Sequence, residues 1–195
     1  MERKKIVVAL TGASGAGYGF ELIRALSGSD VELSVIYNDT ALMILQGEHG
    51  VGLRELERFP EELVHTSRMD HELASGSNRF DSMVLCPCST STASKISSGI
   101  ADNLTTRCAA VALKEEHKVI LAVRETPLST PVLRSLLDLS TWGVTIMPIS
   151  PPLYGISNGS VRDLMKGFSG RIMDLLGVNN DLAERYEPDP KDKER

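Results

Sequence analysis

The segment Gly12-Ala13-Ser14-Gly15-Ala16-Gly17-Tyr18-Gly19 places four glycines in eight residues, between an apolar run and a helix-like stretch. Glycines let a backbone approach a phosphate closely, and the free N–H groups and positive dipole end of a following helix suit an anion. No Gly-Lys-Ser/Thr follows, so this is not a Walker A loop, and it is only a loose dinucleotide fingerprint. A plain tight turn remains the alternative. A second segment, Cys88-Ser89-Thr90-Ser91-Thr92, has four hydroxyl residues in a row after another apolar run. Hydroxyls and backbone N–H groups at a helix start suit a phosphate or the polar edge of a flavin ring, whereas a well-capped helix needs only one of them.

Charged residues form a third set. Arg124-Glu125-Thr126-Pro127 directly follows an apolar run, and Arg107 precedes Lys114 on one helix-period segment. Arg124 and Glu125 suit an anion contact with an acid–base partner, or a simple ion pair. Arg107 and Lys114 by themselves read as surface charges. Tyr154, within a proline cluster, and Arg171, on the last helical segment, would make an anion clamp of a hydroxyl and a guanidinium fork. The plainer alternative is a packed aromatic and a solvent-facing arginine. The four histidines (His49, His65, His71, His117) match neither a zinc-protease nor a Ser-His-Asp pattern, and none is read as catalytic. Cys86 and Cys88 have poor zinc spacing and read as buried structural thiols; with Cys108 they make an odd set that fits a reducing compartment.

The elements that must position these groups follow from periodicity. Short apolar runs at residues 6–10, 33–36, 82–86, 119–123 and 144–147 predict five buried strands. Helical periods fall between them: from near Tyr18, then 39–45, 101–116, 130–141 and 161–176, the last stopped by Gly177. Residues 48–77 read as a long irregular excursion. Strands separated by helices predict right-handed crossovers and a parallel sheet covered on both faces, an α/β fold of three layers. Ligands of such sheets bind beyond the carboxyl ends of the strands. Residues 12–17, Asn38, residues 87–92 and residues 124–127 all lie at such ends.

The chain has 195 residues and a net charge of −5, with 42% hydrophobic and 24% charged residues. That composition predicts one soluble domain over residues 1–195, with 181–195 as a charged, solvated tail. The acidic balance disfavours nucleic acid as a partner. No stretch approaches the ~18 apolar residues of a membrane helix, and residues 6–10 are too short for a signal-peptide core. The expected location is the cytoplasm.

Taken together, residues 11–19, Ser75-Gly76-Ser77, residues 86–92, the Ala101…Arg107…Lys114 segment, residues 123–128 and the Tyr154…Arg171 pair resemble the UbiX-type flavin prenyltransferases over nearly the whole chain. These belong to the flavodoxin-like, Rossmann-like flavoproteins. The resemblance implies that Gly12, Ala13, Ser14, Asn38, Ser89, Thr90, Ser91, Thr92 and Arg124 bind FMN. Asn38 stands where the family usually has a small hydroxyl residue. The flavin phosphate is expected at the 12–17 turn. Ser14 would also touch the reacting centre, Glu125 would move a proton, and Glu48 would be a second acid there. Lys114, Tyr154 and Arg171 would grip the phosphate of dimethylallyl phosphate, with Arg107 supporting that site. Tyr186 would cover the prenyl group.

The implied reaction joins the dimethylallyl group to N5 and C6 of reduced FMN, with phosphate leaving and no metal required. The product would serve a partner decarboxylase. The implied assembly is a homododecamer with each site built from several subunits. A related activity, cysteine decarboxylation, needs a histidine early in the chain and a PxMNxxMW segment, both absent here. A flavin-binding reductase or electron-transfer protein of the same fold is the alternative, since it would need the flavin contacts but not the Lys114, Tyr154 and Arg171 set.

Overall fold

The computed structural model describes residues 3–150 and 159–182. Six parallel strands, β1 (Lys4–Leu10), β2 (Val31–Tyr37), β3 (Glu62–His65), β4 (Ser82–Cys88), β5 (Lys118–Val123) and β6 (Thr145–Pro148), pair in the order β3-β2-β1-β4-β5-β6. Between them run α1 (Ala16–Ser27), α2 (Asp39–His49), α3 (Leu53–Leu56), α4 (Thr90–Ser97), α5 (Leu104–Lys114), α6 (Thr130–Thr141) and α7 (Val161–Leu176).

Successive side chains of a strand point to opposite faces, and in β1 both faces are buried. Ile6, Val8 and Leu10 meet Phe20, Leu22 and Ile23 of α1 and Phe168 and Ile172 of α7 in one apolar layer. Val7 and Ala9 meet Ala93 and Ile96 of α4, Leu104 and Cys108 of α5, and Leu136 of α6 in the other. This is the three-layer arrangement that the unbroken apolar runs predict.

Two expectations are corrected. The 48–77 excursion is not wholly irregular: it contains α3 and a sixth strand, β3, paired only with β2 at the sheet edge. The sequence Glu-Leu-Val-His is too short to show a period, and Val64 is its only buried residue. Helix α2 runs on to His49, beyond the expected residue 45, which puts Glu48 on a helix.

From β1 the chain moves outward to β2 and β3, then returns to the other side of β1 as β4. The strand order therefore reverses between β1 and β4, and a crevice opens beyond their carboxyl ends. Helix α1 packs very closely on β4: a Cβ on Gly19 would lie 1.9 Å from the Cys86 carbonyl oxygen.

Candidate active site

Thr11 ties the two strands that border the crevice. Its hydroxyl donates to the Pro87 carbonyl at 2.8 Å and accepts the Ser89 N–H at 2.7 Å. Nothing in the residue type alone marks Thr11 as functional; its place between strand and glycine was the only signal. Ser89 caps α4, accepting the Thr92 N–H at 3.3 Å and pairing with the Thr92 hydroxyl at 2.8 Å. The N–H groups of Thr90 and Ser91 have no partner among the described residues. Asn38 caps α2 through its side-chain oxygen, which accepts the Ala41 N–H at 2.7 Å. Gly12 sits between these two helix starts, with the Thr40 methyl 2.6 Å from where its Cβ would be. Two positive helix ends, free N–H groups and a row of hydroxyls thus converge on one crevice, which suits an anion.

The start of α1 is different. The Glu48 carboxylate accepts the Ser14 hydroxyl at 2.7 Å, the Gly15 N–H at 3.0 Å and the Ala16 N–H at 3.1 Å. A side-chain anion from α2 already fills the seat expected for the flavin phosphate at the 12–17 turn. The reason is tertiary: the end of α2 folds back over the start of α1, where a carboxylate is favoured by the dipole and by unpaired N–H groups. The contact brings Ser14 and Glu48, 34 residues apart, into one hydrogen bond.

Arg124 and Glu125 follow β5 and are exposed at the same edge. They form no ion pair with each other among the described residues; the Glu125 carboxylate instead accepts the Thr126 N–H at 2.9 Å. The stem of Arg124 reaches within 3.9 Å of a Cβ position at Gly15, next to Ser14. Cys86 and Cys88 are fully buried free thiols, and burial pushes the Cys88 thiol up to about 12, so both are structural as expected.

The Flavoprotein family model matches residues 1–163. The flavin prenyltransferase UbiX of Methanothermobacter thermautotrophicus is 38% identical over 94% of this chain and 95% of its own. The solved structure of AnUbiX (PadA1) in complex with FMN and dimethylallyl pyrophosphate superposes with a TM-score of 0.92 at 35% identity, covering 96% of this chain and 99% of that one. The chain belongs to the flavoprotein family, among the UbiX-type flavin prenyltransferases. A dodecameric FMN-dependent UbiX-like decarboxylase from Escherichia coli O157:H7 is also similar, with a TM-score of 0.91 and 33% identity over 94% of this chain and 100% of that one.

In this UbiX-type flavoprotein two of the residues expected at the prenyl donor, Lys114 and Arg171, lie away from the carboxyl edge of the sheet, whereas Arg107 is in the first turn of α5, near that edge. Arg107 and Lys114 lie seven residues apart on one face of α5, about 10 Å along it. Arg107 donates to the Ala74 carbonyl at 2.9 Å. Lys114, beside Gly76, pairs with Glu115 and holds that carboxyl below its usual range. Helix α5 begins at the carboxyl edge, so Lys114, its last residue, lies toward the opposite edge. Arg171 is on the C-terminal half of α7 and pairs with Asp174 at 2.9 Å. The end of that helix is fixed at the opposite edge by Lys4, which donates to the carbonyls of Leu176 and Gly177. Tyr154 and Tyr186, and the tail beyond Leu182, lie outside the described residues.

Proposed function

We propose that this chain is a flavin prenyltransferase, joining the dimethylallyl group of dimethylallyl phosphate to N5 and C6 of reduced FMN. The observation that carries the reading is the separation of two anion-binding surfaces. One is the crevice of free N–H groups and hydroxyls at the starts of α2 and α4; the other would be built from Arg107 and Lys114 on α5 and Arg171 on α7, helices on opposite faces of the sheet, so that these cations could form one surface only between subunits. A reductase or electron carrier would use only the first. The similar AnUbiX structure is a complex with FMN and dimethylallyl pyrophosphate.

The crevice fits FMN by its donor set: unpartnered N–H groups at Thr90 and Ser91 beside the hydroxyls of Ser89 to Thr92. Those residues, with Asn38 and Gly12, hold the phosphate end, and Ala13, Ser14 and Arg124 border the ring. The reduced flavin supplies the nucleophile. Ser14 spends its proton on Glu48, so its oxygen faces the crevice as an acceptor. Glu125 stands at the same edge, with no cation paired to it among the described residues, and moves a proton there. Lys114, Arg171 and Tyr154 take up charge on the departing phosphate, supported by Arg107. Phosphate so neutralised is its own leaving group, and the step needs no metal.

The two surfaces meet only if subunits exchange them. An apolar groove of about 430 Å³ lies beside Lys114, lined by Ile96, Ile100, Ala110, Leu113 and Trp142. Leu133 and Leu137 on α6, 51% and 62% exposed, offer apolar side chains that a neighbouring subunit could cover. We therefore read the chain as one domain over residues 1–195, in a homo-oligomer, a dodecamer like its relative from Escherichia coli O157:H7, whose sites span subunits. Among the described residues no helix is long and apolar enough to cross a membrane. Its three free cysteines suit the cytoplasm. A decarboxylase would consume the product.

Anaerobic incubation of the protein with reduced FMN and dimethylallyl phosphate, followed by mass spectrometry of the flavin, tests the reading. A gain of one isoprene unit is expected. Unaltered FMN, with either the monophosphate or the diphosphate, returns the chain to the reductase reading.

A further inference from the structure

Helix α1 has a glycine, Gly17, in its first turn. The structure shows what occupies the space. The imidazole of His49 lies against this turn, and a Cβ at Gly17 would fall 2.3 Å from His49 Nε2 and 2.6 Å from its Cε1. Met165 of α7 closes the other side, with its Cε 2.9 Å from the same point. A small side chain at position 17 would displace the ring.

The ring is placed where it bears on the candidate site. His49 Nε2 is 3.8 Å from Glu48 Oε2, and each side chain is 30% exposed. Oε2 is the oxygen that accepts the Ala16 N–H and the shorter Gly15 contact, whereas Oε1 accepts the Ser14 hydroxyl. His49 therefore flanks the oxygen that is turned away from Ser14. It also ends α2, where a basic group is favoured, while Glu48 sits at the start of α1, where an acidic one is favoured. The other charged groups facing this cleft are Glu21, Arg24, Glu55 and Arg162. Arg24 and Arg162 are both engaged by Glu21 at 3.0 Å. Among the described residues, His49 is thus the basic group that addresses Glu48.

We infer that His49 is a positioning residue: it holds the Oε2 side of Glu48 against α1, so that Oε1 takes the Ser14 proton and leaves the Ser14 oxygen as an acceptor for the reacting centre. The inference rests on the reading of Ser14 and Glu48 as part of a flavin prenyltransferase site. It assigns His49 no contact with substrate.

A double-mutant cycle of His49→Ala and Glu48→Gln tests it in two ways. In urea unfolding of the flavin-free protein, His49→Ala should lower the folding equilibrium constant about two- to fivefold more in the Glu48 background than in the Glu48→Gln background. In turnover, His49→Ala should lower kcat about tenfold, with KM for FMN and for dimethylallyl phosphate within about twofold, and His49→Gln should restore most of the loss by returning a polar group of similar reach beside Oε2. His49→Gln also keeps the cycle measurable if the alanine variant folds poorly. Additive unfolding effects, or an unaltered kcat, overturn the proposal and leave His49 as packing. If the wild-type protein prenylates nothing, the functional reading fails on that result alone, and the unfolding cycle still decides whether His49 holds Glu48.

Discussion

Gly19→Ala should destabilise the protein although it adds helix propensity. On an open helix face the change is favourable by about 1 kcal/mol, because alanine loses less conformational freedom. Gly47, on α2, is such a position, with nothing within 4 Å of a Cβ built there. At Gly19 the new Cβ would lie 1.9 Å from the Cys86 carbonyl oxygen, 2.9 Å from its carbon and 2.5 Å from Leu10 Cδ2. Leu10 can turn aside, but a strand carbonyl at the centre of the sheet cannot. The gap between α1 and β4 must widen by about 1 Å, which disturbs a layer where Leu22, Ile23 and Leu26 are fully buried. Overpacking of this kind costs about 1–3 kcal/mol, and a backbone clash belongs at the top of that range. Subtracting the helix gain leaves about 2 kcal/mol, or a fall in Tm of about 4–8 °C for a chain of this length. Gly47→Ala should raise Tm by about 1–3 °C, giving an internal control of opposite sign. Thermal melts of both variants, with urea midpoints at unchanged m, measure the difference. A Gly19→Ala protein as stable as the wild type would refute the reasoning and remove the close α1–β4 approach from the account of this glycine.

Other perturbations probe the site and its frame. Glu125→Gln should leave FMN affinity intact and slow prenylation by at least ~100-fold, as judged by single-turnover product formation; wild-type rates would take Glu125 out of proton transfer. Arg171→Ala should weaken donor use about ten- to a hundredfold, in KM, kcat or both, with FMN affinity within a few-fold by titration calorimetry. Loss of FMN affinity with normal donor kinetics would move Arg171 to the flavin. Glu61 loses by partial burial, but the Leu33 N–H at 2.7 Å and the Arg3 guanidinium outweigh this and hold its carboxyl below the usual range. A carboxyl lowered in the folded state stabilises above its unfolded value of about 4.3, and that contribution is lost as pH falls through the folded one. The drop in urea midpoint between neutral pH and pH ~3 should therefore be smaller in Glu61→Gln; an equal drop would show that the clamp on β2 contributes nothing.

Much of this protein is written locally. Strands β1, β4 and β5 are near-continuous apolar runs because a parallel strand covered on both faces needs apolar side chains on both, and such runs survive any context. The hydroxyl row at residues 89–92 announced a helix start after β4, and Ser89 does cap α4. Arg124 and Glu125 sit at a strand end because they follow the run 119–123 directly. Strand β3 escaped because four residues paired on one side need little apolar character, and only docking on β2 makes them a strand.

Contacts between distant segments were decided by the tertiary structure alone. Periodicity could not show that α2 returns over α1, so nothing in the sequence reading predicted that Glu48 would fill the anion seat at the 12–17 turn, leaving the starts of α2 and α4 open instead. Nor could it show that Gly17 and Gly19 admit an imidazole and a strand carbonyl rather than a phosphate. Lys114 and Arg171 lie away from the carboxyl edge for the same reason. Sequence spacing fixes which helix face a cation occupies, while the direction in which each helix crosses the sheet fixes the edge at which it ends.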